Sequence, residues 1–249
     1  MADLFRVEST VGLGANYIFD DNDLAEYDGG VHGDFTIGWA SMDTSIYAQT
    51  DGSADFFNID TANWNGSFIL THVAAHSKYG GFVGGISKPG YDLMGHAGLI
   101  GMTEVGSNGH LEGEAGLLTS LQDGEIFADS TFYAASKYSH TLNNTLSAFG
   151  SAAFMGREEY SYARALVGFE RIVLDGQAVA NFAIGGTAYN GEFFPSARAE
   201  VKWHFNADTP AEMTPIMGRL FDKFEPLEFL YYRSGRLMRP YCADGEFAC

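Results

Sequence analysis

Apolar runs long enough to make a membrane helix are missing from this 249-residue chain. A bilayer-crossing helix needs about 18 or more consecutive apolar residues, so that mode of insertion is excluded. Proline is scarce, with 6 in all, and residues 1–205 hold only Pro89 and Pro195. Both stand near the ends of alternating segments, where a residue that cannot donate to a strand ladder is tolerated. Cysteine is rarer still: Cys242 and Cys249 are the only two. That rules out a multi-disulfide framework and a cysteine-rich metal site. In an oxidising compartment the pair would close a small loop, and in a reducing one it would stay as two thiols. Cations are few, with 14 Lys+Arg against 32 Asp+Glu and a net charge of −18. Phosphate backbones would be repelled, so a nucleic-acid partner is not expected. Met1-Ala2-Asp3 leads directly into an alternating segment, so no signal peptide is expected at this start, and the chain is read either as not exported or as a mature form. A membrane-barrel reading therefore requires the chain to be a mature form.

What the chain has in quantity is glycine (31), aromatics (14%) and period-two alternation. Between Ser196 and Phe205, Ala197, Ala199, Val201, Trp203 and Phe205 alternate with Arg198, Glu200, Lys202 and His204. Successive strand side chains point to opposite faces, so this segment has an oily side and a wet one. The same dyad recurs near 5–19, 31–40, 42–50, 64–75, 79–87, 91–103, 110–121, 125–136, 140–154, 161–173 and 177–189. About twelve such strands without helices between them predict an all-β fold, a closed antiparallel up-and-down transmembrane β-barrel over residues 1–205. The connections divide into long acidic stretches, Asp20–Asp28 and Asp51–Asn63, and tight ones at Ala40-Ser41, Gln122-Asp123-Gly124 and Leu174-Asp175-Gly176-Gln177. Asp-Gly pairs are hairpin signals.

After Phe205 the pattern changes. Residues 206–249 hold four of the six prolines and both cysteines. Met213, Ile216, Met217, Leu220, Phe221 and Phe224 follow the spacing of an amphipathic helix, opened by Thr-Pro pairs and stopped by Pro226. Tyr231, Tyr232, Arg233 and Arg236 follow. Aromatics with arginines are enriched at interface centres, so this short, partly helical tail is expected to dock to another envelope protein or to a second copy of the chain. The tail carries five Lys+Arg against seven Asp+Glu, which leaves a net of −16 on residues 1–205.

No motif calls for a cofactor or a metal. His72 and His76 are four apart, a spacing that pairs on a helix and not on a strand. The Asp20–Asp28 run lacks the ligand spacing of an EF-hand and reads as a solvated loop. Gly80-Gly81 and Gly84-Gly85 precede no helix start or lysine, so they are no phosphate cradle and mark tight packing or curvature instead. Ser139-His140 with Asn143 and Asn144 raises the thought of a lipid hydrolase, but adjacent strand residues face opposite ways.

Residues 4–205 resemble the bacterial outer-membrane β-barrel, porin-like class. The resemblance is carried by the opening Val11-Gly12-Leu13-Gly14-Ala15-Asn16-Tyr17-Ile18-Phe19 and the closing Val201-Lys202-Trp203-His204-Phe205. It implies that Val201, Trp203 and Phe205 form the assembly signal, although here 44 residues follow the phenylalanine. It also implies outer-membrane lipids as partners and a periplasmic tail. The inward face would then carry Arg6, Glu8, Asp34, Glu112, Glu114, Arg164, Glu170, Arg198, Glu200 and Lys202. Six of these ten are carboxylates, which predicts weak cation preference. Trp39, Trp64 and Trp203 fall near strand ends, where aromatic girdles lie. The leading functional expectation is a non-enzymatic, narrow channel for small polar solutes. A plugged structural barrel anchoring an assembly through its tail, a lipid-hydrolysing enzyme and a soluble secreted β protein are its rivals.

Overall fold

The computed structural model describes residues 4–18, 26–40, 44–55, 58–87, 93–120, 130–157, 160–189 and 192–205. Twelve strands account for nearly all of them: β1 (Leu4–Ile18), β2 (Glu26–Ala40), β3 (Thr44–Asp55), β4 (Asn58–Val73), β5 (Ser77–Ser87), β6 (Met94–Val105), β7 (Gly109–Ser120), β8 (Thr131–Asn143), β9 (Leu146–Arg157), β10 (Tyr160–Val173), β11 (Ala178–Tyr189) and β12 (Glu192–Phe205). Each strand is antiparallel to its sequence neighbours, and β1 also pairs with β12, so the sheet closes on itself. The closing ladder runs from Ser9↔Phe205 to Ile18↔Ser196. A strand of 12 residues is about 40 Å long. Tilted by about 40–45°, it rises close to 28 Å, enough for the apolar band of a membrane barrel.

The two rims differ. At one, residues 41–43, 74–76, 106–108, 144–145 and 174–177 join consecutive strands, and Leu4 and Phe205 lie at the same rim. The Leu174–Gln177 connection is a tight turn: Leu174 and Asp175 adopt φ near +50°, and Gly176 follows at φ +93°. At the other rim, residues 19–25, 88–93 and 121–130 make longer connections, and 56–57, 158–159 and 190–191 shorter ones.

Two sequence expectations need correction. Asp51–Asn63 is not a long loop, because β3 and β4 run through it and pair down to Asp55↔Asn58 across an irregularity. The polar residues misled because a strand's side chains can be wet on both faces where it rises past an apolar belt. Gln122-Asp123-Gly124 lies outside the described residues, and a described tight turn joins Asn143 to Leu146. The strands expected at 125–136 and 140–154 accordingly sit at 131–143 and 146–157. The expected helix in the tail lies outside the described residues.

Two faces result. On the outer face Val83, Leu99, Val167 and Phe182 are between 53% and 71% exposed, and Leu13, Ile37, Phe68, Leu70, Leu117, Phe132, Phe154 and Ile184 are exposed with them. On the inner face Ile69, Phe82, Ile86, Tyr133, Met155 and Tyr162 are buried. Glycine is required where strands crowd inward. A Cβ on Gly84 would stand 2.2 Å from both the Gly66 carbonyl oxygen and Nε2 of His96. Gly150, by contrast, faces open space, with nothing within 4 Å of such a carbon. Gly84→Leu is expected to cost about 1–3 kcal/mol through overpacking, whereas Gly150→Leu should stay near wild type. Urea unfolding of the two variants in detergent checks this contrast.

Candidate functional site

Alternation on a closed sheet gives the inner face its chemistry. On β7 and β8, Glu112, Glu114 and Ser139 are buried with Tyr133. On β10, β11 and β12, Glu170, Thr187, Ser196 and Glu200 are buried as well. Register aligns these groups laterally: Glu112 stands opposite Lys137, Glu170 opposite Asn181, and Asn181 opposite Glu200.

Charges on this face are paired rather than left loose. Lys137 Nζ donates to Glu170 Oε1 at 2.6 Å, reaching past β9, and its ammonium lies 5.1 Å from the centre of the Phe149 ring. Asn181 Nδ2 donates to the same carboxylate oxygen at 3.3 Å. Arg198 Nη2 lies 3.1 Å from Glu200 Oε2. Towards the rim with the longer connections, Ser67 Oγ lies 3.2 Å from His96 Nε2, and both are buried beside Asn65. The notch left by Gly84 lets the imidazole of His96 fit there.

Of the ten residues expected inside, Glu112, Glu114, Glu170 and Glu200 are buried on this face. Arg164, Arg198 and Lys202 are half-buried at positions of the same inward parity. The side chains of Arg6, Glu8 and Asp34 lie outside the described residues. The structure adds Lys78, fully buried, together with Lys137, His96 and His110. Among the described residues, four buried inward carboxylates and Glu104, exposed at the rim on the same parity of β6, meet five Lys and Arg, Lys78, Lys137, Arg164, Arg198 and Lys202. The expected excess of inward carboxylates is absent there. Lys78 and Lys137 were missed because the sequence placed both outside strands, where side-chain parity has no meaning. Within the observed β5 and β8 they fall on the inward parity.

Val201 and Trp203 are half-buried and Phe205 is half-exposed at the end of β12, beside the Leu174–Gln177 turn, where His204 N donates to Gln177 O at 2.9 Å. Trp64 is exposed, and its indole nitrogen donates to Thr50 Oγ1 at 2.7 Å. The Trp39 side chain, and the tail residues 206–249 with Cys242 and Cys249, lie outside the described residues. Ser139 is buried inside, whereas His140 shares the outer face with Tyr138, their ring centres 6.5 Å apart. The two therefore make no nucleophile–base pair. His76 Nδ1 contacts Glu104 Oε2 at 2.7 Å in an exposed pair at a turn. Among the described residues no three His, Cys, Asp or Glu side chains gather as metal ligands do.

No protein-family model matches the sequence, and no curated protein matches it. Solved structures do. A structure from a study of the in-meso crystallization of membrane proteins aligns with a TM-score of 0.55 at 9% identity, over 81% of this chain and 85% of that one. An outer membrane channel from Pseudomonas putida F1 aligns with a TM-score of 0.53 at 7% identity, over 80% of this chain and 95% of its own. KdgM porin aligns with a TM-score of 0.52 at 7% identity, over 78% of this chain and 99% of the porin. The chain thus has the fold of the porin-like outer-membrane β-barrel class.

The Lys137–Glu170 pair sets a stability test. Lys137→Met leaves a carboxylate buried without its ammonium and is expected to cost about 3 kcal/mol. Adding Glu170→Leu should recover most of that loss. Unfolding free energies of the two single variants and the double variant measure the coupling.

Proposed function

We propose that this protein is an outer-membrane β-barrel that passes small polar solutes, with its lipid partner on the outside of the sheet. The observation that supports the reading most is the inversion of burial: large apolar side chains face out on strand after strand, while carboxylates, lysines and histidines face in. A monomeric soluble protein rarely exposes a contiguous apolar patch beyond a few hundred Å². The likeness in fold to KdgM porin and to the Pseudomonas putida channel supports the same reading. Short turns at the rim that holds both strand termini match the periplasmic side of such barrels. On that orientation the tail after Phe205 begins in the periplasm, and Val201, Trp203 and Phe205 serve as the insertion signal.

A second reading has its own support. Lys78, Tyr133, Tyr162, Ile69 and Met155 are almost wholly removed from solvent. Side chains packed that tightly inside a ring suit a plugged structural barrel, whose tail docks to a neighbouring copy or another envelope protein. The functional positions on either reading are solute-facing or structural, and no residue takes a catalytic role.

Three measurements test these readings. Steady unitary currents in planar bilayers are expected from the purified, folded protein; their absence in protein with heat-modifiable gel mobility selects the plugged barrel. Val167→Arg, mid-way along β10 on the outer face, should destabilise folding into lipid by about 2–4 kcal/mol. An unchanged folding free energy in vesicles would remove the lipid-facing assignment. Cutting the chain after Phe205 is expected to leave a folded barrel while abolishing its association, as read by chemical crosslinking.

A further inference from the structure

Near the turn between β8 and β9, a cavity of about 10 Å³ opens at the rim. That volume holds about one water-sized group. Its walls include Thr141, Ser147, Glu170 and the exposed turn residues Asn143 and Asn144. Glu170 is only 5% exposed, and its Oε2 has no hydrogen-bond partner. On the neighbouring strand Oδ1 of Asn181, directly opposite Glu170, is also buried and without a partner. Both atoms are pure acceptors, and a buried acceptor left unmet costs about 1–3 kcal/mol. They therefore call for a donor.

Charge decides what kind of donor. Glu170 is already neutralised by Lys137 through its other oxygen, at 2.6 Å, and Glu200 by Arg198 at 3.1 Å. A cation would add an uncompensated charge to a buried site. A hydroxyl brings a proton and no net charge. The pairing of Lys137 and Asn181 with Oε1 also fixes the carboxylate plane, so that Oε2 is the oxygen left to accept.

We propose that Glu170, with Asn181 beside it, forms a subsite for a hydroxyl group of a neutral, polyhydroxylated solute entering at this rim. This inference rests on the channel reading and narrows its solute class from polar to uncharged and hydroxyl-rich. The hydroxyls of Thr141 and Ser147 supply additional partners for the same solute group.

The test is erythritol titrated against the potassium chloride current of the full-length protein in a planar bilayer. A saturable fall in current is expected in wild type. In Asn181→Leu, which keeps the Lys137–Glu170 pair, the half-blocking concentration should rise about tenfold. Glu170→Gln keeps the shape of the side chain and should weaken the block in the same direction. Glu104→Gln, on an exposed residue of β6 that does not line the cavity, should leave it unchanged. Current through the wild type that does not respond to erythritol overturns the subsite and leaves the channel standing. Equal block in wild type and Asn181→Leu overturns it as well. No current from folded wild-type protein overturns the channel reading, and this inference with it.

Discussion

Everything in this molecule depends on the ladder between β1 and β12. An open twelve-stranded sheet would leave two rows of unpaired amides and carbonyls, which water can satisfy and hydrocarbon cannot. The register from Ser9↔Phe205 to Ile18↔Ser196 removes both edges at once. Closure also divides each strand's two faces into an inside and an outside. Without it, Leu99 and Glu112 would merely lie on opposite sides of a sheet. With it, one faces the surroundings and the other is shut in.

Shutting charged groups inside creates a second requirement. A buried carboxylate is costly unless paired and hydrogen-bonded. The inner face meets this across strands, not along them. Lys137 reaches past β9 to Glu170, with Phe149 beneath its ammonium. Such a strut ties strands that share no backbone ladder. Bulky apolar groups such as Phe82, Tyr162 and Met155 are buried on the same inner face. Glycine provides the room, as where the missing side chain of Gly84 accommodates His96.

Much of this was legible in the residues, and the reason is the period of two. Where one face is oily and the other charged, as in β12, strand, face and parity follow directly, and Glu200 and Arg198 were placed on the inner face. Legibility failed in two physical situations. Beyond the apolar belt both faces of a strand are polar, so the paired stretch around Asp51–Asn63 looked like a loop. In β5 and β9 both faces are apolar or small, so phase carried no signal and the boundaries slipped. Lys78, one residue before the expected start of β5, and Lys137, one residue past the expected end of β8, were lost to boundary errors of this kind, so two inward cations went uncounted. The Lys137–Glu170 contact could not have been read at all, because it spans an intervening strand and depends on the stagger of the whole ring.

An even number of strands has a further consequence. Leu4 and Phe205 end on one rim, and the 121–130 connection joins strands at the other. On the lipid-facing reading, a tag placed directly after Phe205 and a tag grafted between β7 and β8 would occupy separate aqueous spaces in a sealed vesicle. The barrel is thereby a built-in compass: a protease added from outside would clip one label and spare the other, and so reveal which way each molecule had inserted.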